Sequence, residues 1–356
     1  MQTRISRQKT IWALWKERLR TYALLLMALC IVAGCGAGQA AAPPPTATSA
    51  PPTATPSPEP TPTPISMQDI PYYNIDNPVL KRTLTILHPE SGNPPYPFIL
   101  FTPAMEFSMS NYPNIIEALL SRGYAVVQIP GHPYYGLWPD GFCAWAWLEA
   151  NAGTYGLDIN RALVFSHGVG VAGSLLGLAD KSLWTNLLTY CPSPMPSTVH
   201  IRGVVTYNGW FLIPEGSLTW WGEYIIVSRV TGTTETPADL IARLRKVPYE
   251  EWRTPGQLDE PTQHLATQLP LYYVLDPNPA WERPAFLLLH SGKEADEIPA
   301  SESLAMATAL EKGGIAVELQ EIPDSDFESI KDSNVAGQIA DSIDAFAQKL
   351  FANTGP

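Results

Sequence analysis

Histidine is scarce in this chain of 356 residues: there are six, and none follows His290. A fold whose general base sits near its carboxyl end therefore has no imidazole there to take a proton. Neither a Cys-x-x-Cys nor a His-Glu-x-x-His spacing occurs, so the sequence offers no metal site and calls for no cofactor. Basic residues are outnumbered, 22 Lys and Arg against 34 Asp and Glu. A net charge of −12 argues against nucleic acid or an anionic lipid surface as partner and fits solubility at a cell exterior. No apolar run reaches the roughly 20 residues that a spanning helix needs.

What is present begins with a basic segment. Arg4, Arg7, Lys9, Lys16, Arg18 and Arg20 precede the short apolar stretch Tyr22 to Ala33, the pattern of an export signal. Its end, Val32-Ala33-Gly34-Cys35, resembles the lipobox of bacterial lipoproteins. The resemblance implies removal of residues 1–34 and diacylation of Cys35, hence an extracytoplasmic domain anchored to a bacterial membrane through lipid. Without that resemblance the segment is an ordinary secretory signal that ends on a cysteine. Losing its six basic residues and one acidic residue takes the net charge from −12 to −17.

Residues 35–65 are almost wholly Gly, Ala, Pro, Thr and Ser, with ten prolines and six threonines between Ala41 and Pro64. Such a composition has too little apolar surface to offset its ordering entropy. Proline at this density favours extended polyproline II geometry, so the segment is expected to be a stalk.

Residues 66–356 suit one large α/β domain. The expected elements alternate. Thr83 to His88 reads as an early edge strand, Pro97 to Thr102 and Ala125 to Ile129 as buried strands, and Pro113 to Arg122 as a helix stopped by Gly123. Phe142 to Ala150 reads as a helix, Arg161 to Phe165 as a strand and Val171 to Leu178 as a helix. Val204 to Tyr207, Phe286 to Leu289 and Val317 to Ile322 read as strands, and Ser303 to Lys312 and Val335 to Phe351 as helices. That alternation predicts a mostly parallel, doubly wound sheet. Two cysteines of this domain, Cys143 and Cys191, form either a disulfide or two buried thiols in an exported chain.

Arg161 to Gly173 carries the chemistry. An apolar strand feeds Ser166-His167-Gly168-Val169-Gly170, and small residues open a helix. This is the layout of a nucleophile elbow, a tight strand-to-helix turn that lifts one side chain above a sheet. In these residues the chain resembles the α/β-hydrolase superfamily, most closely its dienelactone-hydrolase-like and platelet-activating-factor-acetylhydrolase-like esterases. The resemblance covers roughly Leu84 to Phe351 and implies an α/β-hydrolase fold. Residues 210–282 stand where that family inserts a cap. The insert is rich in aromatics, Trp210, Trp220, Trp221, Trp252 and Trp281 among them. Those rings either line an apolar cleft or fasten the insert to the core.

Acyl transfer in this fold takes a nucleophile, a base, an acid and an oxyanion hole. The family turn reads Gly-His-Ser-x-Gly; aligning His167 and Gly170 puts Gly168 at the nucleophile, without a hydroxyl. The family pattern Pro-x-Ala-Asp-His aligns with Pro323 to Phe327 and puts Phe327 at the base. Asp296, before Ile298-Pro299, is the acid equivalent, and Asn208 stands where acetylhydrolase relatives carry theirs. The backbone N–H groups of Met105 and Val169 are the oxyanion-hole equivalents. The resemblance thus implies an esterase-like pseudoenzyme that acts by binding a small apolar or ester-like ligand. Two alternatives stay open: an active carboxylic-ester hydrolase that uses Ser166 or a cap residue, and a structural or assembly factor at the membrane.

Overall fold

Unalternated apolar runs are what a parallel sheet covered on both faces requires, and those of this chain become its central strands. A computed structural model describes residues 66–73, 82–104, 111–129, 137–168, 171–189, 191–211, 237–267, 269–274, 283–293 and 298–352. The signal and stalk, residues 1–65, lie outside the described residues.

The strands are β1 (Ser66–Tyr73), β2 (Arg82–Leu87), β3 (Tyr96–Thr102), β4 (Ala125–Gln128), β5 (Leu157–His167), β6 (Ile201–Tyr207), β7 (Ala285–Ser291) and β8 (Val317–Ile322). They form one sheet in the order β1-β2-β4-β3-β5-β6-β7-β8. β1 and β2 run antiparallel to their neighbours, and the rest are parallel. The expected edge strand at Thr83 is therefore not an edge. β1 covers it, a strand that polar residues and Pro71 hide from any apolar pattern.

Helix α1 (Pro113–Ser121) starts with proline at its first position and buries Ile115, Ile116, Leu119 and Leu120. It lies on one face of the sheet with the last helix, α9 (Ser333–Phe351), which Asp332 caps by accepting from Asn334 N–H and Val335 N–H. The other face carries α2 (Leu137–Asn151), α3 (Val171–Leu178), α4 (Lys181–Leu188) and α8 (Ala300–Lys312). Between α4 and α8 come α5 (Pro237–Leu244), α6 (Glu260–Ala266) and α7 (Leu271–Val274), all within the insert after β6. Leu240, Leu244, Trp252, Leu271 and Val274 of the insert share one buried cluster with α2 and α3. The described part of the insert is fastened to the core, with Trp252 buried and its indole N–H donated to Val247 O. Trp220, Trp221 and Trp281 lie outside the described residues.

Cys143 on α2 and Cys191 after α4 are joined as a disulfide, their Cα atoms 5.4 Å apart across 48 residues of sequence. A second tie binds the end of the same loop. His200 donates both its backbone N–H and its Nδ1–H to the buried Glu149 carboxylate, at 2.9 and 2.7 Å.

Candidate functional site

The order of strands reverses about β3: β4 lies on one side of it and β5 on the other. In an open parallel sheet the crevice at the carboxyl ends of two such strands is where ligands bind. Ala104 follows β3 there, and Gly168 follows β5.

Gly168 is buried with φ of +67°, a conformation that L side chains rarely adopt. Its N–H donates to Tyr207 O at 3.0 Å, and its carbonyl accepts from Trp210 N–H at 2.6 Å. The apex is thereby tied to β6 and to the start of the insert. A Cβ placed on Gly168 would stand 2.8 Å from Phe327 Cε2, 2.9 Å from Phe327 Cζ and 3.1 Å from Ala104 Cβ. The phenyl ring of Phe327 occupies the space that a nucleophile at the apex would need.

The ring is held in place by its own backbone. Phe327 opens a short 3-10 turn, Phe327–Lys331, capped reciprocally by Asp326 and Ser329. Tyr207 O–H donates to Asp326 O at 2.7 Å, and Asn114 Nδ2 donates to Lys331 O at 2.6 Å. Lys293, after β7, pairs with Asp326 at 2.6 Å. A cation and a carboxylate thus bridge the two loops that an acid and a base would join in a working triad. The Lys293 ammonium beside Asp326 is the main influence holding that carboxyl below its usual range.

His167 links the three loops of the site. Phe327 O can only accept, so Nε2, 3.0 Å away, carries the proton. Nδ1 is then bare and accepts from Tyr112 O–H at 2.9 Å. Tyr112 Oη in turn accepts from Ala104 N–H at 3.0 Å. One directional chain runs from the loop after β3, through the elbow, to the loop after β8. The imidazole is fully buried and stacks on Phe327 with ring centres 4.3 Å apart. Burial lowers its pKa from 6.5 to about 3, so it is neutral and is no base for solvent-borne chemistry. Burial likewise pushes the Tyr112 phenol well above its usual range.

Ser166 does not reach the apex. It is a fully buried residue of β5 whose hydroxyl meets Thr102 Oγ1 at 2.6 Å beneath α3. Asn208 is structural too: at φ of +46° it accepts from Ser291 N–H at 2.7 Å and closes β6 onto β7. Asp296, Met105 and Val169 lie outside the described residues. Among the described residues Ala104 N–H is already given to Tyr112. Nothing local in the sequence marks Tyr112, Tyr207 or Lys293 as parts of the site. Tyr112 precedes His167 by 55 residues, and no local spacing announces such a pair.

No protein-family model matches the sequence, and no curated protein matches it. Solved structures do. A truncated carbohydrate esterase from gut microbiota aligns over 80% of this chain and 96% of its own, at 14% identity and a TM-score of 0.53. Thermogutta terrifontis esterase 2, solved phosphoramylated by tabun, aligns over 82% and 96% at 14% identity and a TM-score of 0.54. Esterase B from Lactobacillus rhamnosis aligns over 82% and 88% at 12% identity and a TM-score of 0.55. At such identities the likeness speaks to the fold. Sheet order and neighbours agree: this chain has the fold of the α/β-hydrolase superfamily.

Proposed function

We propose that this is a lipid-anchored, extracytoplasmic α/β-hydrolase-fold protein that has lost ester hydrolysis and acts by binding. The observation that carries the reading is the contact of the Phe327 ring with the glycine apex. The elbow has no hydroxyl, and the space for one is filled by a ring that takes no proton. Gly168 and Phe327 are then positional relics of nucleophile and base, with Asp296 as the relic of the acid. Met105 and Val169 supply whatever backbone donors remain for a carbonyl or anion. The ligand expected is small and apolar or ester-like.

The test is turnover with a burst. The domain from about Ser66 onward is expected to give no acyl-enzyme burst with a short activated ester. It is also expected to take no covalent label from an organophosphorus reagent of the kind recorded on the Thermogutta enzyme. Binding and an oxyanion hole alone still accelerate hydrolysis by roughly 10³–10⁴ over water, so a faint steady rate decides nothing.

The competing reading, an active carboxylic-ester hydrolase, draws on the esterase neighbours. A burst abolished by Ser166→Ala would establish it with Ser166 as nucleophile, and a burst surviving that change would move the nucleophile to the insert. A membrane assembly factor would show neither burst nor small-molecule ligand.

Anchoring rests on Cys35. The variant Cys35→Ala is expected to leave the membrane fraction or to keep its signal segment, as mass spectrometry of the mature protein would record. A normally processed, fully membrane-bound Cys35→Ala protein would end the lipoprotein reading.

A further inference from the structure

Behind the elbow, on the face that α3 covers, hydroxyls gather where the sheet is otherwise apolar. Thr102, Ser166 and Thr206 are Cα partners across β3, β5 and β6. Each continues a column of buried apolar residues on that face, after Leu100, Val164 and Val204. All three are at most 2% exposed, as is Ser174 on the first turn of α3.

Helix α3 lies close above them. A Cβ on Gly173 would overlap Ser166 Oγ, and one on Gly177 would stand 2.7 Å from Val204 Cγ2. The two glycines, four apart, let the helix backbone rest on β5 and β6. Ser174 lies on the Gly177 side of Gly173, about 100° around the helix, and so is turned toward β6.

Counting protons shows what is missing. Thr102 has one hydroxyl proton, and Phe165 O, 3.3 Å away, can only accept it. Ser166 therefore donates to Thr102 at 2.6 Å and keeps open lone pairs of its own. Thr206 Oγ1 and Ser174 Oγ are both buried and have no partner among the described residues. Buried hydroxyls left so are rare in native proteins, and the usual partner is an ordered internal water.

We propose that Ser166, Ser174 and Thr206 together bind one internal water behind the elbow. The water accepts from Ser174 O–H and Thr206 O–H and donates to Ser166 Oγ. It thereby ties the first turn of α3 to β5 and β6, and it holds the helix leaving Gly168 without any contribution from a catalytic serine. This site needs Ser166 as a structural hydroxyl and so excludes Ser166 as a nucleophile, while its own test reads stability and not hydrolysis.

The sign of a stability change tests it. Thr206→Val keeps shape and removes one hydroxyl. If that hydroxyl holds water, the urea midpoint of the full chain at neutral pH falls; if it is an orphan, removing it raises the midpoint. Ser174→Ala is expected to lower the midpoint as well. The double variant should lie above the sum of the two losses, because both act on one water. A midpoint raised or unchanged by Thr206→Val overturns the proposal. So does a high-resolution crystal structure of the unmodified protein without density between these three hydroxyls, a result that does not depend on any variant folding.

Discussion

Taking the protein from pH 6.5 down to about pH 4 is expected to cost about 3 kcal/mol of stability through His167 alone. The sign follows from where the protons go. In the unfolded chain the imidazole takes a proton near 6.5, whereas in the folded protein burial holds it neutral down to about 3. Between these values the unfolded state binds the extra proton, so stability falls by about 1.4 kcal/mol for each unit that pH falls. Above 6.5 both states are neutral and the group contributes no slope; below about 3 both are charged and the loss levels off. Protonation of the folded state is opposed by geometry as well. Nδ1 must stay bare to accept from Tyr112, and the nearby positive charge of Lys331 disfavours a second one. His167→Gln keeps a donor and an acceptor but cannot titrate. Urea unfolding of both proteins at about pH 7 and about pH 4 should show the variant less stable at neutrality and less dependent on pH, by that same ~3 kcal/mol. Parallel pH profiles for the two proteins would mean that His167 is not the buried neutral group described.

The parts of the site that the sequence made legible are those written in local spacing. Residues 161–173 announce a strand, a turn and a helix because small residues crowd one short stretch, and the helix expected at Val171 to Leu178 has those very bounds. Pro323 to Phe327 announced a loop with an aromatic at its end, and the fold brings that ring onto Gly168 across 159 residues of chain. What stayed hidden is written in contacts between distant segments. Tyr112 reads as a residue ahead of a helix until the fold sets its hydroxyl between Ala104 and His167. Ser166 reads as a spare nucleophile because spacing cannot say which face of β5 it takes; packing turns it inward, under Gly173. β1 is not legible in the sequence because Gln68, Asp69 and Pro71 break its apolar alternation, and its place beside β2 is set by pairing rather than burial. The insert hid its helices for a related reason: they are short and packed by a few residues each, so no periodic run builds up.

The largest effect on chemistry is expected from changing the apex and the ring together. Gly168→Ser alone should destabilise the protein by about 2–5 kcal/mol, from a left-handed backbone that serine resists and a Cβ pressed into a fixed ring. It should give no burst, since the hydroxyl has no base and the ring stands where the acyl group must go. Phe327→His alone removes the ring atom Cζ, which a Cβ at 168 would meet at 2.9 Å, and draws in the edge that carries Cε2, 2.8 Å away, without emptying it. It supplies an imidazole with nothing to activate, so again no burst is expected. In the double variant the smaller ring relieves part of the overlap, and the two stability losses should combine to about 1–3 kcal/mol less than their sum. The same variant should show a burst with an activated ester, because nucleophile and base act as a unit. The stability half of the cycle tests the contact, and the kinetic half tests the relic reading. If Gly168→Ser is as stable as the parent, the ring does not fill the apex. If the losses couple but no burst appears, the contact is real but Gly168 and Phe327 are not relics of a nucleophile and its base.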